Sequence, residues 1–318
     1  MTESHSDRQI NAKPNPDIFK SGFVGVMGSP NVGKSTLINS LVGTKIAAVS
    51  PWPQTTRKRQ LGIYTSQFAQ IIFIDTPGVH RPLHKLGEYM NQEAAGVLKE
   101  SDLVLFIVDI SQPPGKEDLL LADLIKDPKI RAPILLVLNK VDLVDPTALN
   151  LYEVAYRQII PQATAIFTSA TKGENLDNLI KEIISRLPES PPFYPEDQLT
   201  DLYERDISAD LIREAALFNL RDEVPHSISV RIDEFTERND HGAYIAATLF
   251  VERESQKPIV IGQGGELIKR IGTAARQEIE RMTGRKVFLQ LRVKVRKNWR
   301  NNDAALQLFG FSKPSRER

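Results

Sequence analysis

The chain contains no cysteine, which excludes disulfides and thiolate metal sites and leaves nothing that points to export. It also lacks a long apolar run. The longest stretches, such as Leu103 to Val108, are strand length and fall far short of the roughly 18 residues of a membrane span. Neither sign of charge dominates: 41 Lys and Arg stand against 40 Asp and Glu, for a net charge of +1. Any surface for a polyanion therefore has to arise from local segregation of charge. Residues Met1 to Lys20 are polar, interrupted by proline and without an apolar signal core, so they read as a disordered leader. What remains is enough for two folded units, since 318 residues exceed the span of one domain and 41% hydrophobic content supplies real cores.

Four short segments carry the chemistry. The first, Gly28-Ser29-Pro30-Asn31-Val32-Gly33-Lys34-Ser35-Thr36, matches G-x-x-x-x-G-K-S/T, a loop whose backbone N–H groups point at phosphate oxygens. The strand Phe23 to Met27 precedes it, and Leu37, Ile38, Leu41 and Val42 follow at helical spacing. Gly28 and Gly33 allow close approach, Lys34 supplies a fixed positive charge, and Ser35 offers its hydroxyl to a magnesium ion. The helix opening at Lys34 aims its positive dipole end at the same phosphates. In the second segment, Asp75-Thr76-Pro77-Gly78, Asp75 emerges at a strand tip where hydrated magnesium needs negative charge. The Gly78 N–H is placed to sense a γ-phosphate. In the third, Asn139-Lys140-Val141-Asp142, the two oxygens of Asp142 match the adjacent ring N–H and amino donors of guanine, a pair that adenine lacks. The Lys140 stem lies along the base plane, and Asn139 holds the loop against the phosphate-binding segment. In the fourth, Thr168-Ser169-Ala170, the Ala170 N–H is expected to donate to the guanine carbonyl.

The strands expected near 22–27, 59–65, 70–75, 103–109, 133–139 and 163–168 alternate with helices, which implies a doubly wound sheet. Such a sheet binds ligands at the carboxyl ends of its strands. Asp109 also ends a strand but has no motif around it and reads as structural. The first domain spans 21–187, and the Pro-rich stretch Leu187 to Pro195 opens a linker reaching to 205, because it cannot continue a helix. Residues 206–300 then read as helix, two strands, helix, Gly262-Gln263-Gly264-Gly265, helix and strand, followed by a C-terminal helix or tail over 301–318.

Between Lys257 and Arg300, twelve Lys and Arg face three acidic residues, a surplus of nine that leaves the rest of the chain at −8. That concentration suits RNA. Arg292, Lys294 and Arg296 share one face of the last strand, opposite an apolar one, and Trp299 is either a stacking platform for a base or, more in keeping with its position near a domain end, packing. The variable pair of the turn, Gln263 and Gly264, has no cation. Phosphate attraction must therefore come from Lys257, Lys269, Arg270 or Arg276.

In these motifs, in Pro51 to Arg57 with its Gln54-Thr55-Thr56-Arg57 core, and in the C-terminal order of elements, the chain resembles the Era family of bacterial GTPases over roughly residues 20–310. The resemblance implies an α/β P-loop GTPase domain followed by an α+β type II KH domain, which clamps about four nucleotides of single-stranded RNA over its Gly-x-x-Gly turn. It implies GTP or GDP with Mg²⁺ as ligands, a magnesium set of Ser35, Thr56 and Asp75, with Thr56 preferred over Thr55, and catalytic roles for Lys34, Thr56 and Gly78. Ras-like enzymes place a water-orienting glutamine where this chain has Val79, so turnover should be slow. Asn31 sits where potassium-using relatives keep a ligand, and an asparagine that merely steadies the loop fits equally well. The resemblance further implies 16S ribosomal RNA near its 3′ end and the small ribosomal subunit as partners, a monomer, a cytoplasmic location, and peripheral contact with the membrane. The alternative is a non-catalytic scaffold that holds GTP and RNA.

Overall fold

The computed structural model describes residues 19–50, 55–79, 81–222, 224–237 and 242–311. Of the expected leader, Met1 to Lys20, residues 1–18 lie outside the described residues, as do Pro51 to Gln54, whereas Lys20 already pairs with Ala69 in the first strand.

The first half is built on β1 (Lys20–Met27), α1 (Lys34–Val42), β2 (Gln60–Thr65), β3 (Ala69–Asp75), α2 (Lys85–Glu100), β4 (Leu103–Asp109), α3 (Lys116–Ile125), β5 (Ile134–Asn139), α4 (Leu149–Ile159), β6 (Thr164–Phe167) and α5 (Leu176–Arg186). The strands form one sheet in the order β2-β3-β1-β4-β5-β6, parallel except for the antiparallel β2–β3 pair. Every residue of β3 and β4 is buried. Continuous apolar runs of this kind belong to strands covered on both faces. Leu37, Ile38 and Leu41 of α1 and Leu179 and Ile183 of α5 cover one face. The other face is covered by Ala94 and Leu98 of α2, Leu121 and Ile125 of α3, and Tyr156 of α4. Val79 is buried in this second core.

The Pro-rich stretch after α5 lies along the sheet instead of hanging between domains. Gln70, fully buried on β3, takes the Phe193 and Tyr194 amides on its Oε1 (2.8 and 3.0 Å) and gives its Nε2 to the Tyr194 carbonyl (2.8 Å). The Ile63 amide donates to Leu199 O at 2.8 Å and the Leu61 amide to Asp201 Oδ1 at 3.0 Å. The strap thus satisfies amides on the open edge of β2, which would otherwise be free to pair with another chain.

The second half comprises α6 (Glu204–Asn219), a one-turn α7 (Val224–Ser227), β7 (Ser229–Glu237), β8 (Gly242–Val251), α8 (Gln256–Ile261), α9 (Glu266–Thr283), β9 (Lys286–Val295) and α10 (Asp303–Leu308). β8 pairs antiparallel with β7 and parallel with β9. Ile212 and Ala216 of α6 and Ile271, Ala275 and Ile279 of α9 pack against Val287 and Val293 of β9. Both helices therefore lie on one side of the three-stranded sheet. The two halves meet through a third cluster in which Leu86 and Met90 of α2 touch Phe250, Trp299, Leu306, Phe309 and Phe311.

Trp299 is fully buried. Its Nε1 donates to Ser227 O at 2.8 Å and its ring meets Phe309 edge-on, with centroids 5.1 Å apart. It therefore has no face to offer a base, and its role is packing. Trp299→Ala should cost about 3–5 kcal/mol, the range for emptying a large aromatic from a core. Chemical denaturation checks this, and a loss below about 1 kcal/mol would show that the site collapses around the missing ring.

Candidate nucleotide site and RNA interface

The phosphate loop follows β1, and two of its glycines are required by what surrounds them. A Cβ on Gly28 would lie 2.4 Å from the Ile107 carbonyl oxygen, and Gly33 has φ 101° with Asn139 Nδ2 only 2.5 Å from where its Cβ would be. Asn31 takes a left-handed φ of 64°, a conformation asparagine tolerates better than most residues. Inside the loop, the buried Lys34 ammonium donates to the carbonyls of Gly28 (2.9 Å) and Ser29 (3.0 Å). Burial pulls its pKa down to about 8 against the attraction of Asp75. Ser29 turns the other way, its hydroxyl 2.6 Å from Asp118 Oδ1 at the start of α3.

Ser35, Thr56 and Asp75 come together. Ser35 Oγ donates to Asp75 Oδ2 at 2.7 Å, Thr56 Oγ1 to the same oxygen at 3.1 Å, and the two hydroxyls are 3.0 Å apart. Thr55 instead pairs with Ser50 at 2.7 Å. Asp75 is buried, and burial raises its carboxyl pKa against the pull of Lys34. Its Oδ1 is buried without a hydrogen-bond partner. An orphaned carboxylate oxygen beside two hydroxyls is a fit donor set for a hard cation such as Mg²⁺. Thr76 does not join them: its hydroxyl is tied to Val26 O at 2.7 Å inside the sheet. Gly78 lies against Pro30 of the phosphate loop, where a Cβ would meet Pro30 atoms at 3.2 Å.

The base-recognition loops are tied to the phosphate loop through Asn139. Its Nδ2 donates to Val32 O at 2.8 Å, and its Oδ1 accepts from the Ala170 amide at 3.0 Å and from Thr168 Oγ1 at 3.3 Å. The Ala170 N–H expected to face a guanine carbonyl is thus engaged by Asn139 in this structure. Ser169 donates to Asp142 Oδ1 at 2.6 Å, which orients that exposed carboxylate. Val141 begins a 3₁₀ turn over Val141–Leu143, and its amide donates to Thr168 O at 3.2 Å. Lys140 has φ 67° and its ammonium sits 2.6 Å from Asp109 Oδ2. Asp109 was legible only as a strand-end residue, because its partner lies one strand away. Pro30, Asn31, Lys34, Ser35, Thr36, Thr56, Gly78 and Lys140 all line one cleft of ≈ 310 Å³.

Sequence reasoning missed how this cleft is joined to the second half. The Arg57 guanidinium, next in the chain to Thr56, is buried in the C-terminal half. It donates to Ile228 O at 2.6 Å and His226 O at 3.2 Å and lies 5.6 Å over the Trp299 ring. Burial holds its pKa well below the usual arginine value, with Arg213 and Arg300 adding to the effect. Earlier in the same segment, Glu214 of α6 accepts from Lys45 Nζ at 2.6 Å and from the Val49 amide at 3.0 Å.

On the RNA side, Gly262, Gly264 and Gly265 have φ of 76°, 58° and 81°. A Cβ at Gly262 would collide with Leu267 at 2.6 Å, whereas Gly264 and Gly265 face open space. Gln263 is exposed at the same turn, with Lys269 and Arg270 exposed on α9 and Lys257 half-buried on α8. Arg276 is paired with Glu280 at 3.2 Å. Arg292, Lys294 and Arg296 do not join this group. Their apolar neighbours on β9 face the helices, so strand alternation turns the three cations to the other side of the sheet.

Comparisons with known proteins agree with this geometry. The family model described as a 50S ribosome-binding GTPase matches residues 23–140, and the KH domain model matches residues 223–300. The GTPase Era of Ruminiclostridium cellulolyticum is 46% identical over 293 residues, covering 92% of this chain and 98% of the relative. That of Carboxydothermus hydrogenoformans is 44% identical, covering 92% and 98%. Among solved structures, Era in complex with MgGDPNP and nucleotides 1506–1542 of 16S ribosomal RNA is 40% identical, with a TM-score of 0.88 over 92% of this chain and 99% of that one. A variant of Aquifex aeolicus Era bound to GDP·AlF4⁻ is 39% identical, with a TM-score of 0.87 over 92% and 100%.

Asp142→Asn should erase most of the preference for GTP over ATP or XTP-like purines, since a hydrogen-bonded pair of this kind can discriminate by about 10⁴. Competition binding measures it, and unchanged selectivity would remove Asp142 from base recognition. Phosphate loop, paired hydroxyls on Asp75, the Asn139 clamp and the KH turn occur together in one chain at this level of identity, and the chain belongs to the Era family of GTPases.

Proposed function

We propose that this GTPase is a nucleotide-timed clamp on the 16S ribosomal RNA of the small subunit, near its 3′ end, and serves a step in assembling that subunit. In this reading Lys34 and the loop amides hold the phosphates, and Asp142 and Lys140 hold the guanine. Ser35, Thr56 and Asp75 hold Mg²⁺, which neutralises charge developing on the phosphates. The Gly78 amide reads the γ-phosphate. The turn at Gly262 to Gly265, flanked by Lys257, Lys269 and Arg270, grips single-stranded RNA. The complex of a 40% identical Era with RNA supports the choice of partner. We place the work in the cytoplasm, with any membrane contact limited to surface attraction of the basic module. Among the described residues no helix is long and apolar enough to cross a membrane.

One observation carries the coupling: Thr56 meets Asp75 while Arg57, the next residue, is locked into the carbonyls of His226 and Ile228. Ordering of Thr56 by Mg·GTP then pulls on the element that leads into the KH sheet. RNA should accordingly bind with different affinity in the GTP-analogue and GDP states, and GTP should respond to RNA by the same factor. Arg57→Ala should shrink that factor toward one, as titration of a 16S 3′ fragment would reveal. Equal RNA affinity in both nucleotide states of the unaltered protein would refute the coupling.

Val79 is buried beside Met27 and Ala94, so the residue after Gly78 does not orient water. With no glutamine there, we assign stabilisation of the transition-state charge to a potassium ion that Asn31, which lines the cleft, would help hold. Unaided hydrolysis should run at about 10⁻³ per second or less, the range of intrinsic Ras, and faster in potassium than in sodium. Equal rates in the two salts would remove Asn31 from this role.

A further inference from the structure

We propose that the helix-free face of the KH sheet is a second RNA surface, on which unpaired bases stack against Phe288 and Tyr244 while phosphates follow the basic edge of β9. The proposal rests on the RNA-binding reading above and adds a site to it. Phe288 is 66% exposed. Its ring lies nearly parallel to that of Tyr244, with centroids 5.8 Å and planes 17° apart, and the Tyr244 hydroxyl donates to Gln290 at 2.7 Å. Single exposed aromatics are ordinary, but an exposed ring with a second, nearly parallel ring beside it on one sheet face is the kind of surface on which RNA-recognition sheets stack bases.

Charge says what covers the platform. Lys286, Phe288, Gln290, Arg292 and Lys294 alternate along β9 on the side away from the helices, and Arg296 follows just past its end, with no acidic residue among them. Side chains on one face of a strand recur every ~6.7 Å, so this edge is a row of cations beside the stacked rings. The acidic groups of the same face sit at the opposite edge, on β7. There Asp233 is paired with Arg231 (2.6 Å) and accepts the Thr248 hydroxyl (2.6 Å), and Glu234 accepts from Thr236 (3.0 Å). A polyanion is thereby steered along β9. At the far end of β8 the face is closed, because Phe250 is buried under Phe309 and Arg231. Among the described residues, the near end presents the exposed Phe288 with the half-buried Tyr244 beside it.

Reach points the same way. A KH turn clamps about four nucleotides, and the turn of this chain lies on the helix side of the sheet. The RNA bound by the 40% identical Era spans nucleotides 1506–1542, far more than one turn engages. A strand leaving the clamp past β9, the edge of the sheet, meets the row of cations first.

The test uses the full chain and two RNAs: a single-stranded oligomer of about six nucleotides, long enough for the clamp, and a fragment matching nucleotides 1506–1542. The Phe288→Ala and Tyr244→Ala double variant should bind the long RNA about 5- to 150-fold more weakly, the range for one stacked base, and the oligomer as before. Arg292→Gln with Lys294→Gln should lower the salt slope for the long RNA by about 0.7 for each phosphate no longer neutralised. Gln263→Asp with Gly264→Asp should weaken both RNAs. Loss of both RNAs alike in the Phe288 and Tyr244 variant, or of neither, would overturn the proposal. So would a loss confined to phosphatidylglycerol vesicles, which would make the face a membrane surface. If the unaltered protein binds neither RNA, the RNA-binding reading itself falls and this site with it. Photocrosslinking of iodouridine-substituted long RNA to the unaltered protein needs no variant: crosslinks at Phe288 or Tyr244 are expected, and crosslinks only on the helix side would contradict the assignment.

Discussion

One peptide bond separates the hydroxyl of Thr56, which meets Ser35 and Asp75, from the guanidinium of Arg57, which is buried among carbonyls of the KH half. Adjacent residues are joined by a planar peptide with only two soft dihedrals per residue, so a displacement of one is passed to the other. The nucleotide cleft and the RNA module therefore share a backbone segment as well as an interface. Arg57 also carries its charge into a desolvated site, with Arg213 and Arg300 near it. A buried cation of that kind is held only while its acceptors stay in place, which makes the lock sensitive to small displacements on either side.

The rest of the architecture fixes the two ends of that segment. At the nucleotide end, Asn139 ties three loops into one body by bonding Val32, Thr168 and Ala170, and Asp109 does the same for Lys140. At the RNA end, Trp299 braces α7 through the Ser227 carbonyl while its ring supports Arg57. Glu214 adds a second tether through Lys45 and Val49. Between these fixed ends, Thr56 meets Asp75 and Gly78 rests on Pro30.

The local chemistry was readable in the chain because it is local. A glycine needed for close approach, a lysine and serine following it, and an Asn-Lys-x-Asp run after an apolar strand all declare themselves within a few residues. The doubly wound sheet and the KH order were legible for the same reason, through runs and alternation. Contacts between distant residues left no such trace. Gln70 reads as an ordinary polar residue until Phe193 and Tyr194 bond to it, and the Pro-rich stretch reads as a spacer until it is seen covering β2. Arg57 and Trp299 are 242 positions apart, so neither announces the other. The alternation of β9 did place Arg292, Lys294 and Arg296 on one face, but only the packing of α6 and α9 shows that this face is not the one bearing the turn.

The claim that cleft and RNA module move as one is tested most directly by amide hydrogen exchange on the full chain with Mg·GTP analogue and with GDP. The account predicts that protection changes together at residues 46–50, whose Val49 amide bonds Glu214, and at 226–230, whose carbonyls hold Arg57. A change confined to the cleft, with 226–230 identical in both states, would contradict it.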